Sequence, residues 1–416
     1  MYIVRSPSIL RLLTVSIPLG KNRSVKLPVL LWFTLTAAAI LAEWSRHSIN
    51  NYYIFKGVFW HTVAESNLYA QYPSEHLDVN HYGPFFSIII FPFALLSDWA
   101  GVFAWCLLNS FMLFYAINKL PFSATGKLAA LLIVAIEMMT SIHNVQLNPM
   151  LAGWLILAFV LTENKKDFWA TLFIAAGFMT KIYGMAGLLF FLFSSDKPKF
   201  FLSFLFWLVV MFLLPMVFSS PHFIIASYID WFNALRDKNL ANISIAGSSL
   251  MQDISVMGFL RRSFGMSATF NPIIIISALL AILIPLLRTN QSRFLSFRLS
   301  YLAIVLISIV IFSTSAESPT YVIAVLGVAI WYIISPQSWW TRSVLFFTMT
   351  ITCLSGTDLF PAYIRDHIIN PYSLKALPCI LVWLILIGDV AFKEFDGITN
   401  SSWRNEARKH YITSVQ

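Results

Sequence analysis

Histidines, tyrosines and carboxylates crowd one stretch of an otherwise apolar chain. Residues 45–84 hold four of the eight histidines and five of the fifteen tyrosines, together with Glu65, Glu75 and Asp78. The end of this stretch, residues 75–84 (EHLDVNHYGP), runs directly into an apolar segment, so a carboxylate there would sit at a membrane–water interface. A base in that position can take the proton of an acceptor hydroxyl beside a lipid-borne donor. Asp78 is the leading candidate and Glu75 the second, each against the plain alternative of a solvated loop carboxylate. His76, Asp78 and His81 raise the question of a metal, but their spacing fits no zinc pattern. Tyr52, Tyr53, Phe55, Phe59, Trp60 and Tyr69 suit an interfacial helix whose rings bury while their polar tips stay wet, or a face that stacks on sugars.

Later in the chain, isolated polar groups interrupt apolar runs. Lys181 stands in residues 177–184 (GFMTKIYG), flanked on both sides by such runs. An ammonium at membrane depth is costly, so it should face a polar cavity or an anionic partner, a lipid phosphate being the natural one; a snorkelling lysine is the bland alternative. Glu317, in residues 313–321 (STSAESPTY), is likewise a lone carboxylate beside a membrane face: a second acid, a sugar ligand or the partner of Lys181. Gln146 and Asn148, at the outer start of a span, can bond hydroxyls or cap the helix. Asp253 and Ser255 are followed by Arg261 and Arg262, a pair suited to phosphate, headgroups or salt bridges. Glu137, inside an apolar run, has no visible partner and reads as structural or interhelical.

The elements that must position these groups are membrane helices. Hydrophobic residues make up 58% of the 416 and charged residues 11%, which excludes a soluble globular domain. The mean hydropathy is +0.74. Apolar runs fall at about 28–44, 85–96, 101–118, 127–143, 147–162, 168–181, 182–194, 200–218, 271–287, 299–314, 321–334, 343–355 and 376–392, and none alternates with period two, so helices rather than barrel strands are expected. The net charge of +9 is scattered over short connections and reads as topology signals rather than a nucleic-acid surface. Residues 163–166 and 196–199 with Arg288, Arg293 and Arg298 should face the cytoplasm, as should a basic segment 1–27 and a tail 393–416. The loops 45–84 and 219–270, with Gln146, Lys181 and Glu317, then share the opposite side. Thirteen full spans would separate the termini, so part of 85–118 is expected to be short or re-entrant, leaving about twelve spans in one integral membrane domain, 28–392. Cys106, Cys353 and Cys379 lie in apolar runs and read as small core residues.

In this order, several segments resemble glycosyltransferase family 87: residues 51–56 (NYYIFK), 68–69 (LY), 82–84 (YGP), Trp105 with 107–109 (LLN), 145–148 (VQLN), 180–184 (TKIYG), 255–260 (SVMGFL) and 318–321 (SPTY). The resemblance covers roughly residues 40–335. It implies an all-α polytopic fold of the GT-C type and hexose transfer, mannose being one option, from a polyprenyl-phosphate sugar to a lipid or glycan acceptor. It implies a multi-pass protein of the bacterial inner membrane and a site facing the periplasm or exterior; no cofactor is expected and no metal ligand is assigned. Asn51, Lys56, Tyr82 and Tyr321 of the matching segments, with Glu75 and His81 of the first loop, are then expected beside the substrate with Lys181, Gln146 and Asn148. Two departures stand out. The family commonly opens its first segment with aspartate where this chain has Asn51, and an amide cannot be a general base. It often has histidine shortly after the late Ser-Pro, where Tyr321 and Val322 follow here. The base is therefore sought in Asp78, Glu317 or Asp253. A lipid or glycolipid transporter, or a catalytically inactive assembly subunit, are the rival readings.

Overall fold

The computed structural model describes residues 13–18, 24–244 and 251–396, so Arg5, Arg11, Lys21, Arg23 and the tail from residue 397 lie outside the described residues. One short antiparallel ribbon pairs Ser16–Pro18 with Ser24–Lys26, and every other described residue is in helix or connection. The chain order is α1 (Leu27–Ser45), α2 (Asn50–Val63), α3 (Phe86–Ala94), α4 (Asp98–Lys119), α5 (Ala124–His143), α6 (Asn148–Glu163) and α7 (Asp167–Thr180). A 3-10 segment, Ile182–Phe193, precedes α8 (Lys197–Leu213), α9 (Pro221–Ile243), α10 (Val256–Phe264) and α11 (Asn271–Leu283). Then follow α12 (Leu295–Ile311), α13 (Tyr321–Ile334), α14 (Trp339–Phe347) and α15 (Leu377–Phe392).

Every apolar run read from the sequence coincides with helix. Among the described residues, six helices are long and apolar enough to cross a membrane: Leu27–Ser45, Asp98–Lys119, Ala124–His143, Lys197–Val217, Ala268–Leu287 and Leu374–Phe392. The run at 85–118 divides into α3, nine residues long with Pro92 inside it, and the 22-residue α4. At 1.5 Å per residue α3 is about 13 Å long, less than half a hydrocarbon core. Helices α6, α12 and α13 are buried almost all round and form the centre, consistent with their apolar residues lacking a single face. Lys197–Val217 and Ala268–Leu287 carry most of their apolar residues outward, as a lipid-facing position requires.

Two regions differ from the sequence reading. Helix α2 exists, but Tyr52, Phe55 and Phe59 are buried within the protein, while Trp60 is exposed. The Tyr52 hydroxyl donates to the Phe93 carbonyl at 2.9 Å, and the Phe55 ring makes edge contacts with Tyr82, Phe86 and Trp105, so tertiary packing takes up the aromatic face. The polar block 219–270 is no open loop either, since it contains the 23-residue α9 and the short α10.

The two ends of the bundle have different contents. Arg298 pairs with Glu163 at 2.8 Å, Arg288 with Glu394 at 3.0 Å, and Ser194 donates to Asp167 at 3.0 Å, which gathers the basic connections at one end. The other end opens into a polar cavity.

Candidate active site

The cavity has a volume of about 880 Å³ and takes its polar lining from widely separated segments. Asn51 comes from α2, Asp78, His81 and Tyr82 from the loop before α3, Gln146 from the turn between α5 and α6, Lys181 from the junction after α7, and Glu317 from the turn before α13.

Glycines explain how two of these segments close on each other. A β-carbon on Gly184 would fall 2.1 Å from the carbonyl carbon of Gly177, so the chain can fold back at Lys181 only because both positions lack side chains. A β-carbon on Gly83 would fall 2.1 Å from the Met179 carbonyl oxygen, and the Gly83 amide donates to the Thr180 carbonyl at 3.0 Å. The end of the first loop is thereby fastened beside Lys181. Its Tyr82 hydroxyl donates to Gln146 Oε1 at 3.0 Å, while its ring stacks on Phe86. Gln146 is presented by a turn in which Val145 adopts φ 53° and gives its carbonyl to Trp105 Nε1 at 3.1 Å.

Lys181 Nζ donates to Asn148 Oδ1 at 3.0 Å and lies 4.8 Å from the centre of the Tyr183 ring. Asn148 is buried one layer behind the wall, where its amide also donates to the Pro319 carbonyl at 3.1 Å. Burial pulls the Lys181 ammonium down to about 8, against the attraction of Glu317. Burial also pushes Glu317 up, opposed by Lys181 and Lys238 and reinforced by Asp78. His81 is held down at about 4, first by burial and then by Lys238, so its ring is neutral at neutral pH. Asp78 is exposed at the mouth, and its Oδ1 accepts from the Val79 amide at 2.8 Å. The result is a carboxylate reachable from outside, a second carboxylate further in, and an ammonium whose nearest hydrogen-bond partner is a neutral amide.

Residues 80–314, more than half of the chain, match the sequence profile of glycosyltransferase family 87. The chain belongs to glycosyltransferase family 87. No curated protein matches it. As a family 87 glycosyltransferase it moves a sugar from a donor to an acceptor, and its apolar helices make it a membrane protein.

The remaining candidates of this glycosyltransferase lie off the cavity. Asp253 is 1% exposed and is engaged by Ser255 Oγ at 2.7 Å and by the Arg261 guanidinium, with its backbone at φ 52°. Arg262 donates to Ser373 Oγ and to the Gln252 carbonyl, each at 2.7 Å, so the arginine pair fastens α10 to its surroundings. Lys56 pairs with Asp98 at 2.7 Å, and Glu75 with His61 at 3.1 Å. Tyr321 is buried, with its hydroxyl on the Ile254 carbonyl at 2.8 Å. Among the described residues no group of three or more His, Cys, Asp or Glu is placed to hold a metal ion.

Several lining residues were not singled out from the sequence: Lys238 from α9, and Gly356, Arg365, Asn370 and Lys375 from residues 355–375. Lys375 carried the same signal as Lys181, a lone lysine at the edge of an apolar run. Glu137, left without a partner in the sequence, is that lysine's ion-pair partner.

Proposed function

We propose that this protein transfers a hexose from a polyprenyl-phosphate sugar to a hydroxyl of a lipid or glycan acceptor, on the outer side of a bacterial inner membrane, within a GT-C-type bundle of about twelve spans. The observation that carries the reading is the convergence of Asp78, Glu317 and Lys181 on one cavity in a family 87 chain. Its volume of about 880 Å³ suits a phosphosugar with part of an acceptor.

The reaction is a single displacement. The acceptor hydroxyl enters at the exposed mouth and gives its proton to Asp78 as its oxygen bonds to the anomeric carbon. The bond from that carbon to the phosphate oxygen breaks with inversion, and the polyprenyl phosphate leaves with its charge facing the Lys181 ammonium. Glu317, deeper and beside Lys181, accepts from sugar hydroxyls and holds the lysine protonated. Gln146, Asn51, His81 and Tyr82 orient the ring from the opposite wall. Asn148 acts through Lys181, and Asp253, Lys56, Glu75 and Tyr321 act on the scaffold.

The test is transfer of labelled hexose from polyprenyl phosphate to extracted membrane lipid or glycan by the purified chain in liposomes. A new glycosidic product supports the reading. Movement of the labelled donor across the bilayer with no such product identifies a transporter, and neither outcome with any polyprenyl-phosphate hexose identifies an inactive relative.

A further inference from the structure

Three lysines line the cavity, and the partners of two of them, Lys181 and Lys375, differ in charge. Lys181 donates to the neutral amide of Asn148. Lys375, 4% exposed, donates to Glu137 Oε1 and to Ser318 Oγ, each at 2.7 Å. The charge of Lys375 is therefore offset at contact distance, whereas that of Lys181 is open to an incoming anion. A phosphate belongs at Lys181 on this ground. At Lys375 it would meet an ammonium already paired and the Glu137 carboxylate directly behind it.

Lys375 nevertheless has something to offer a neutral ligand. An ammonium carries three N–H donors, and two are engaged by Glu137 and Ser318. Ser318 accepts from Lys375, which leaves its own hydroxyl proton free for a further acceptor. Two donors on adjacent atoms fit the oxygen of a sugar hydroxyl. Access to them depends on Gly356: a β-carbon there would come within 3.2 Å of Ser318 Oγ and 3.4 Å of Lys375 Nζ. Gly356 has no left-handed φ, so what the position uses is the missing side chain, not the backbone freedom of glycine. Gly356, Ser318 and Lys375 all line the cavity.

We propose that Gly356, Ser318 and Lys375 form a corner that binds a ring hydroxyl of the transferred hexose, and that Gly356 keeps this corner open. The inference rests on the donor reading above. The corner is tied to the phosphate end through consecutive residues: Ser318 bonds Lys375, and the Pro319 carbonyl accepts from Asn148, which holds Lys181. Phosphate and sugar would thus be measured against one rigid turn, residues 318–320. Lys375 and Gly356 lie outside residues 80–314, so this part of the sugar site belongs to a region beyond the family match.

The experiment is equilibrium binding by the full chain in nanodiscs of two lipids, polyprenyl phosphate and the same lipid bearing a hexose. Gly356→Ala is expected to weaken the hexose-bearing lipid roughly ten-fold, the size of one lost charge-assisted hydrogen bond, and to leave the sugar-free lipid unchanged. Ser318→Ala, which introduces no added atom, is expected to weaken the hexose-bearing lipid selectively as well, and guards against a folding defect in the first variant. Unchanged affinity of both variants for the hexose-bearing lipid, or equal weakening of both lipids, overturns the corner while leaving the donor reading standing. Wild-type protein that binds neither lipid overturns the donor reading and the corner with it.

Discussion

The Lys375 ammonium lies 2.7 Å from Oε1 of Glu137, and both side chains are buried although 238 positions separate them in the chain. This pair joins the middle of α5 to the turn Leu374–Ala376 just before α15, at the wall of the cavity. Each ion alone would be expensive in such surroundings, while the pair together is close to neutral in cost.

Removing one partner should therefore be far worse than removing both. Glu137→Leu and Lys375→Met are each expected to lose about 3 kcal/mol or more of stability, and the double variant to recover most of it. Denaturant unfolding of the four proteins in detergent measures the coupling directly.

The donor site should titrate on its alkaline side. Lys181 is held near pH 8 by burial, and its ammonium must be charged to receive the phosphate. Its pKa lies below the ordinary lysine value, so the charged form is lost as pH rises through about 8, and kcat/KM for the donor is expected to fall about ten-fold per pH unit above that point. Glu317 attracts this ammonium, so Glu317→Gln should move the alkaline limb to lower pH. A pH profile of kcat/KM for both proteins checks it. Stability follows the opposite sign, because a lysine favoured neutral in the fold gains relative to the unfolded chain as pH rises above 8.

Gly184→Ala should open the reversal that presents Lys181. The added β-carbon has nowhere to go at 2.1 Å from Gly177 backbone, and overpacking of this kind costs about 1–3 kcal/mol or more. A lowered unfolding midpoint together with weakened donor binding is the expected result. Normal donor affinity would show that the reversal does not set the position of Lys181.

Asp253 separates a scaffold role from a catalytic one. Its carboxylate is engaged by Ser255 and Arg261, so Asp253→Ala is expected to unpair a buried arginine and lose about 3 kcal/mol, while the folded fraction keeps its turnover. Burial pushes Asp253 up, against the bonds from Ser255 and Arg261 and the charges of Arg261 and Arg262. The folded chain therefore takes up this proton at a higher pH than the unfolded chain, so the contribution of Asp253 to stability rises as pH falls through that range, and unfolding of wild type and Asp253→Asn titrated towards acid checks the sign.

The helices were legible because apolar length alone specifies them, and Lys181, Glu317 and Asp78 stood out because a charge at a membrane face needs a reason; the structure brings the three to one cavity. Two things were hidden. The aromatic pattern of α2 fits a bilayer surface and a protein core equally well, and only the contacts with Phe93, Tyr82 and Trp105 show that Tyr52 and Phe55 pack into the core. The partner of Glu137 lies 238 residues away, and local pattern has no access to pairing at that separation. Asp253 looked as available as Asp78, since nothing in its neighbours says that Arg261, one turn into α10, folds back onto it.

The most direct test is the rate of hexose transfer by Asp78→Asn in liposomes, with donor affinity measured on the same preparation. A fall in kcat of about 10² to 10⁴ with unchanged donor binding is expected, because the amide keeps the shape of the mouth but cannot take the acceptor proton. Turnover at the wild-type rate would contradict it.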